Sequence, residues 1–431
     1  MTTSLLKSAI WSTSGALVTR LLALVSNLLL ARLLTPEEFG VIAIAYIFWA
    51  LVNLFTQGTV GSFLMYKGVD DPRYLNTTFS LAIVTGGGLA ALLVAISPLV
   101  AGFFGVPDLV GLLAIFAGSL LLSFVQSVGA GMLNRQMRQK ELAQATSLAS
   151  LVRVAVTVGC ALAHGSYWSF ALGDLAYWIV ACGLTQKQAG YRFKWGIDPE
   201  VRSEVLRYCL GATGFSFTFF VNANADNFVI GKLMSQTQLG FYNFAYQITT
   251  ALTMILRQAI EQVGTTQFAR LPDSESQRRS VLRLVQYGGW IAAPIYGVMA
   301  LLLRPALVSW VFGPKWIPAC AAMPWLLFYA YFRLLNNSLF SLLAARGRPD
   351  ISARINLIIT PVAVAGFIFG ALNQDITQVA IAVAALLGVF GTLISWWIGC
   401  LALNWPVLPF WRASFGPAIL VTGLVTAVWQ I

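Results

Sequence analysis

The sequence predicts an all-α polytopic membrane protein: two parallel-repeat six-helix bundles around a central cavity, plus about one C-terminal helix. Three observations predict this fold class: an apolar composition, thirteen apolar segments of membrane length, and an internal repeat with an offset of 200 residues. Of the 431 residues, 58% are hydrophobic and 10% are charged. Soluble domains carry about 25% charged residues, so the composition excludes an ordinary soluble enzyme and a disordered chain.

The apolar segments follow one another with short connections. A helix that crosses a bilayer needs about 20 mainly apolar residues. Segments of about this length cover 9–30, 41–65, 75–103, 109–133, 142–163, 167–185, 208–230, 240–266, 285–303, 320–344, 354–372, 377–402 and 415–431. They divide the chain into an N-terminal bundle (1–185), a polar cytoplasmic linker (186–207), a C-terminal bundle (208–402) and an extra span (403–431).

Basic residues concentrate in alternate loops. With the N-terminus in the cytoplasm, 19 of the 27 Lys and Arg lie in the N-terminal segment and the even-numbered loops, and four in the odd-numbered loops. Cytoplasmic loops of membrane proteins are rich in Lys and Arg, so we expect a multi-pass protein of the inner (plasma) membrane with a cytoplasmic N-terminus. The net charge of +11 then indicates membrane lipids with anionic headgroups, and not nucleic acid, as partners.

Residues that bind metals are sparse. The chain has one histidine, His164, and five cysteines without any CxxC spacing. Neither a metal site nor a disulfide framework is indicated, and we expect no cofactor.

The repeat is clearest just after the first and seventh spans. Residues 31–46 read ARLLTPEEFGVIAIAY, and residues 231–246 read GKLMSQTQLGFYNFAY. The identical pairs are Leu33 and Leu233, Gly40 and Gly240, Ala45 and Ala245, and Tyr46 and Tyr246. Basic turns at 134–140 and 345–350 match more loosely. Because six spans separate the copies, the halves face the same way, an arrangement typical of secondary transporters. A duplicated structural bundle without transport is the alternative.

These repeated runs resemble the polysaccharide-transporter family, the Wzx-type flippases of the multidrug/oligosaccharidyl-lipid/polysaccharide superfamily. The resemblance implies two six-helix bundles around a central cavity. It also implies that a polyprenyl-pyrophosphate-linked oligosaccharide moves from the cytoplasmic to the outer leaflet, for assembly of O-antigen, capsule or exopolysaccharide. The implied partners are this lipid-linked oligosaccharide, a polysaccharide polymerase and export machinery.

Ionisable side chains within spans are the main candidates for function, because such groups usually face a protein or water-filled interior. They are Arg20, Arg153, Asp174, Asp226, Arg257, Glu261 and Arg333. Arg333 shares a helix face with Asn336 and Asn337 by its i, i+3 and i+4 spacing. Arg offers a diphosphate a planar fork of donors, and Asn suits sugar hydroxyls. We therefore expect Arg333, Asn336, Asn337 and Arg153 to bind substrate, with a helix–helix contact as the alternative.

Polar positions on the first and seventh spans predict a lined cavity. Arg20 and Asn27 are seven residues apart on one face, and Thr218, Asn222 and Asp226 step by four. Since the repeat makes these helices equivalent, we expect Arg20, Asn27 and Asn222 to contact substrate. For Arg20, a salt bridge to a carboxylate is the alternative.

Asp174 and Asp226 are the expected ion-coupling residues. Burial raises the pKa of a carboxylate and a nearby Arg lowers it, so such a group can exchange a proton as access alternates. Na⁺ is an equal alternative, and a purely structural Arg partner is another.

Two rival functions remain open at this point. A multidrug or cation antiporter of the same fold would favour carboxylates, whereas this chain has four Arg against three acids within its spans. A membrane polymerase or ligase usually carries acid and base residues on a large outer loop. The longest outer loop here, 304–319, contains no Asp, Glu or His. We therefore predict that the protein is not an enzyme.

Overall fold

The computed structural model describes residues 25–55, 60–67, 71–163, 166–270 and 273–429, with single positions at 15, 19 and 22. All regular secondary structure in these residues is helical. The chain packs as two compact units, unit 1 at Met1–Phe220 and unit 2 at Val221–Ile431.

Unit 1 contains seven helices and the start of an eighth in its described part. They are α1 (25–33), α2 (Pro36–Asn53), α3 (Val60–Lys67), α4 (Pro72–Phe104), α5 (Leu109–Arg135), α6 (Gln139–Leu162), α7 (Trp168–Ala189) and the first part of α8 (Pro199–Leu233). Its core follows α5, where Phe116 and Phe124 are fully buried. The helix packs against α4 and α7.

Unit 2 begins within α8 and continues through helices of mixed type. They are α9 (Gln236–Arg270), α10 (Ser274–Leu302), α11 (Pro305–Phe312), a 3₁₀ segment (Pro314–Ala321), α12 (Met323–Ala345), α13 (Pro349–Leu372), α14 (Ile376–Ala382), a π-helical segment (Val383–Phe390), α15 (Gly391–Leu403) and α16 (Leu408–Trp429). The core follows α12, which packs against α9, α10 and the π-helical segment.

The predicted all-α polytopic membrane fold is confirmed. In the described residues, eight helices are long and apolar enough to cross a membrane, or nine if the 3₁₀ segment and α12, bent by 57°, count as one span. Two helix boundaries differ from the sequence prediction. The second segment divides into α2 and α3, and helices α7 and α8 extend into both ends of the polar linker 186–207. Gly190, in the left-handed conformation with φ 67°, ends α7, and Asp198 caps the start of α8. Only residues 190–198 between the two helices are therefore non-helical.

The turn after the first helix of each unit is the same structure twice. α1 ends at residue 33 and α8 at 233, and the next helices begin at 36 and 236. Thr35 Oγ1 accepts from Glu38 N at 3.3 Å, and Ser235 Oγ accepts from Gln238 N at 3.2 Å. Such side chains satisfy amides that a helix start leaves unpaired. The repeat is therefore visible in backbone geometry as well as in sequence.

A second pair of turns lies at an offset of 210, at the basic runs that the sequence comparison matched. Met137 and Gly347 both adopt left-handed backbone angles, with φ of 58° and 64°. The next residue closes the same hydrogen bond in each case, Arg138 N to Leu133 O at 2.9 Å and Arg348 N to Leu343 O at 2.8 Å.

A third contact joins the second helix of each unit to the loop that follows its fifth predicted span. In unit 1, Ser166 Oγ donates to Glu38 Oε1. In unit 2, Gln238 Nε2 donates to Gln374 O at 2.9 Å. Glu38 and Gln238 are repeat equivalents, so the duplicated sequence has kept a tertiary contact as well as its turns.

Candidate functional site

Three side chains from three helices form a closed cluster in unit 1. Arg153 Nε on α6 lies 2.5 Å from Asp174 Oδ1 on α7. The Tyr46 hydroxyl on α2 donates to Asp174 Oδ2 at 2.5 Å and accepts from Arg153 Nη2 at 3.2 Å. Asp174 is only 7% exposed, and both of its oxygens have partners. The charges of Arg153 and Asp174 therefore compensate each other within the unit.

Close packing of α6 and α7 positions this pair. A Cβ on Gly173 would lie 1.8 Å from Thr157 Oγ1, so only glycine fits at this approach. Thr157 Oγ1 itself donates to Arg153 O at 2.7 Å. The residue next to Asp174 thus has to be small for the carboxylate to reach the guanidinium.

A polar cavity of about 250 Å³ adjoins the cluster. Besides the three clustered side chains, its polar lining includes Thr19, Ser26, Asn27, Ser150, Thr157 and Tyr177. Asn27, predicted as a substrate contact, therefore lies at the same cavity as Arg153 and Asp174. The volume and the mixture of donors and acceptors suit several waters or a small polar group.

In unit 2 the buried carboxylate has a different environment. Asp226 on α8 is 3% exposed, and Tyr242 on α9 donates to its Oδ2 at 2.6 Å. The backbone amide of Asn227 donates to Oδ1 at 2.8 Å. Neutral amide side chains extend this hydrogen-bond network, since Asn243 Nδ2 donates to Asn227 Oδ1 at 3.2 Å. The carboxylate is held by neutral donors only among the described contacts.

Arg333 on α12 is the matching cation of unit 2, and among the described residues it has no direct ion pair. Its Nη1 donates to the Tyr246 hydroxyl on α9 at 2.5 Å, and the guanidinium lies 5.8 Å from the centre of the Tyr329 ring. No described carboxylate forms an ion pair with Arg333. Asp226 and Arg333 interact only over a longer range.

Comparison with known proteins assigns the family of this chain. The profile of the polysaccharide biosynthesis protein family matches residues 29–321, which is more than half of the chain. The chain belongs to this family. The match includes Tyr46, Arg153 and Asp174 and ends before Arg333.

Curated relatives of this polysaccharide biosynthesis family member have low sequence identity to it, but their alignments cover most of its length. The chain is 24% identical to the lipopolysaccharide biosynthesis protein WzxC of Escherichia coli over 91% of its own length and 80% of the relative. It is 24% identical to the teichuronic acid biosynthesis protein TuaB of Bacillus subtilis over 82% and 73%. It is 23% identical to the succinoglycan biosynthesis transport protein ExoT of Rhizobium meliloti over 71% and 62%.

Solved structures support the fold at still lower identity. The lipid II flippase MurJ in an inward closed conformation aligns with a TM-score of 0.73 at 13% identity, over 97% of this chain and 93% of that one. An inward-facing multidrug resistance transporter of the MATE family aligns with a TM-score of 0.67 at 12% identity, over 90% and 94%. Both share this chain's fold.

The structure separates some of the residues that the sequence grouped. Arg333 points to α9, whereas Asn336 is buried and donates to Thr392 Oγ1 on α15 at 2.9 Å. Positions three apart on a helix differ by about 60° in direction, and here that difference directs them to different neighbours. Asn337 Nδ2 is buried without a partner among the described residues.

The remaining candidates have separate surroundings. Asn222 on α8 donates to Thr360 Oγ1 on α13 at 3.1 Å. Arg20 lies outside the described residues, as do the side chains of Arg257 and Glu261 and the single histidine. The expected roles of all these residues stay predictions.

Sequence reasoning missed the tyrosines. Tyr46 and Tyr246 each bind the half-buried arginine of their unit, and Tyr242 binds Asp226. A signal for the first two was present, because they are one of the four identical pairs of the repeat. Tyr242 has Ile42 as its repeat equivalent and had no such signal.

Proposed function

We propose that this protein is a flippase that moves a polyprenyl-pyrophosphate-linked oligosaccharide across the inner membrane for surface polysaccharide assembly. Family membership and the relatives named for lipopolysaccharide and succinoglycan biosynthesis support this substrate class. The fold shared with a lipid II flippase supports the reaction type. Transport breaks no bond, and the proposal therefore includes no catalytic residue.

The main support for the proposal is the environment of Arg333, which has no carboxylate partner among the described residues. An arginine within a membrane span is costly unless its charge is used, and this one has a hydroxyl and an aromatic ring as its described partners instead of a carboxylate. A guanidinium carries five donors, so a diphosphate still finds a fork of N–H groups there. The Arg333 side chain is half-buried.

The two carboxylates have different proposed roles. Asp174 has its charge compensated by Arg153 at 2.5 Å, so it holds the arginine in place until substrate competes for it. Within the described part of the chain, Asp226 has only neutral hydrogen-bond donors close by, and it is the better candidate for coupling to H⁺ or Na⁺. A buried carboxylate without a close cation favours taking up a proton or a metal ion.

The proposal also includes the side of the membrane on which the N-terminus lies and the path of the substrate headgroup. The excess of Lys and Arg in alternate loops supports a cytoplasmic N-terminus, and the headgroup moves by alternating access between the two leaflets. The expected cavity between the halves, with Arg20, Asn27, Arg153, Asn222, Arg333, Asn336 and Asn337 as contacts, remains part of the proposal. A polymerase and export machinery would receive the product.

Cation export is the second candidate, because the MATE transporter shares the fold. The deciding experiment follows lipid-linked oligosaccharide in cells that lack the gene. A flippase restores surface polysaccharide, and the Arg333→Ala variant lets the lipid-linked precursor accumulate on the cytoplasmic side. Drug resistance that is restored without any change in precursor or polysaccharide would contradict the proposal.

A further inference from the structure

The segment that connects α7 to α8, residues 190–198, is held against helix α4 although it is not helical. Three of its backbone amides donate to polar side chains in the first turns of α4: Lys194 N to Asn76 Oδ1 (2.8 Å), Gly196 N to Ser80 Oγ (3.1 Å) and Asp198 N to Thr77 Oγ1 (3.0 Å). Phe193 also stacks on Phe79, with 4.2 Å between ring centroids. The segment therefore presents its outer side chains in a defined arrangement.

Those outer side chains combine positive charge with apolar surface. Arg192, Lys194, Trp195 and Ile197 are all exposed, and we call them the outer surface of the segment. Trp195 is 66% exposed and Ile197 39%. The nearby carboxylate of Asp198 is occupied, because it accepts from the amides of Glu200 and Val201 at the start of α8. The four side chains of the outer surface carry two positive charges, from Arg192 and Lys194, beside two apolar groups.

The corresponding loop of unit 2 uses its tryptophan in the opposite way. Trp405 follows α15 as Trp195 follows α7, yet it is 9% exposed. Its Nε1 donates to Ser274 Oγ at 2.9 Å, and Arg346 lies 5.3 Å above its ring. A loop in this position can therefore bury its tryptophan, and the exposure of Trp195 needs a separate explanation.

The membrane surface provides that explanation. α4 has 33 residues and is about 50 Å long, whereas the hydrocarbon core is about 30 Å thick. The segment contacts α4 at residues 76–80, within about 12 Å of the start of this helix. A helix about 20 Å longer than the hydrocarbon core extends into the headgroup layer at its ends when it crosses the bilayer. Trp is enriched at that level, and Lys and Arg there attract anionic lipids.

We propose that Arg192, Lys194, Trp195 and Ile197 form a docking surface for anionic phospholipid headgroups. Trp195 and Ile197 enter the headgroup layer, and Arg192 and Lys194 bind lipid phosphates. The leaflet involved rests on the proposed sidedness, but the docking itself does not depend on transport.

The test uses a fluorescent reporter at Ile197. The variant Ile197→Cys, in a full-length chain without other cysteines, is labelled with an environment-sensitive dye and reconstituted into vesicles. In phosphatidylcholine with added phosphatidylglycerol, we expect blue-shifted emission, protection from the neutral quencher acrylamide, and quenching by spin-labelled headgroups. In phosphatidylcholine alone these effects should be weaker. Each Lys or Arg near an anionic surface strengthens binding about fivefold, so Arg192→Gln with Lys194→Gln should weaken docking about 25-fold.

A matched control is Asn373→Cys, since Asn373 is exposed in a turn of unit 2 and residues 372–378 include no Lys, Arg or Trp. Its dye should stay accessible to acrylamide in both lipid mixtures. Equal quenching at residue 197 in both mixtures would overturn the proposal. Protection in native membranes but not in vesicles of their extracted lipids would identify a protein partner and would also overturn it. Loss of transport in Arg333→Ala should leave the dye signal unchanged, so this test and the flippase test fail independently.

Discussion

The two units share the same repeated turns but differ in how their arginine and aspartate side chains are paired. In unit 1, Tyr46 joins an arginine and an aspartate that touch each other. In unit 2, the repeat equivalent Tyr246 binds Arg333, while Asp226 is held separately by Tyr242. The arginine comes from α6 in one unit and from α12 in the other, which are not repeat equivalents. Duplication has preserved the turns and the tyrosine, and the ionic groups have diverged around them.

This difference suggests that Arg153 and Arg333 have different roles, one in stability and the other in ligand binding. A compensated pair such as Arg153 and Asp174 adds internal constraint, and removing one partner leaves a buried charge unpaired. An uncompensated arginine such as Arg333 contributes less to the fold and more to a ligand. The comparison therefore makes opposite predictions for the two arginines.

The largest effect on stability is expected in unit 1. Arg153→Ala should lower the free energy of unfolding by about 3 kcal/mol, the lower end for breaking a buried pair, because the Arg153 side chain is 34% exposed. Combining it with Asp174→Ala should restore most of this loss, since no unpaired charge remains. Thermal unfolding in detergent measures both. Full stability of the single variant would remove the distinction between the units.

The second prediction concerns transport and Arg333. Arg333→Ala should reduce polysaccharide export about 10- to 100-fold, the worth of one or two charge-assisted hydrogen bonds, while the amount of protein in the membrane stays near normal. Arg333→Lys should recover export only partly, because Lys keeps the charge but lacks the planar fork. Surface polysaccharide and membrane protein level are measured together. If removing Asp226 as well restored export, Arg333 would be a structural partner of that carboxylate.

Sequence reasoning found the helices and the repeat but not the charge pairing. Apolar length predicts spans because every backbone group in lipid must be paired internally. Whether Arg153 meets Asp174 depends on how α6 and α7 rotate against each other, which the contact at Gly173 and Thr157 determines. The same limit explains Arg333 and Asn336. Spacing placed them on one broad face, and packing with α9 and α15 directed them apart.

A smaller effect distinguishes the two repeated tyrosines. Tyr46→Phe removes a donor from the buried Asp174 carboxylate and should cost about 1.5 kcal/mol of stability, as expected for a hydrogen bond to a charged group. Tyr246→Phe removes an acceptor from Arg333, whose side chain is half-buried and keeps its contact with the Tyr329 ring, so the loss should be smaller, about 0.5 kcal/mol. Thermal unfolding of the two variants side by side checks the order. The reverse order would mean that Arg333 depends on its tyrosine more than Asp174 does.

The smallest effect tests the turns at Met137 and Gly347. A non-glycine residue in the left-handed region costs about 1–2 kcal/mol, and replacing glycine recovers about 0.4–1 kcal/mol by restricting the unfolded chain. Gly347→Ala should therefore lower stability by about 0.5–1 kcal/mol, and Met137→Gly should raise it by a similar amount. No atom lies within 4 Å of a Cβ built at Gly347, so the backbone alone determines the sign there. Gly87 is the control, because its added Cβ also meets nothing but its backbone is helical. Gly87→Ala should stabilise by up to about 1 kcal/mol, and a loss of stability in both glycine variants would show that the turn at Gly347 is not the cause.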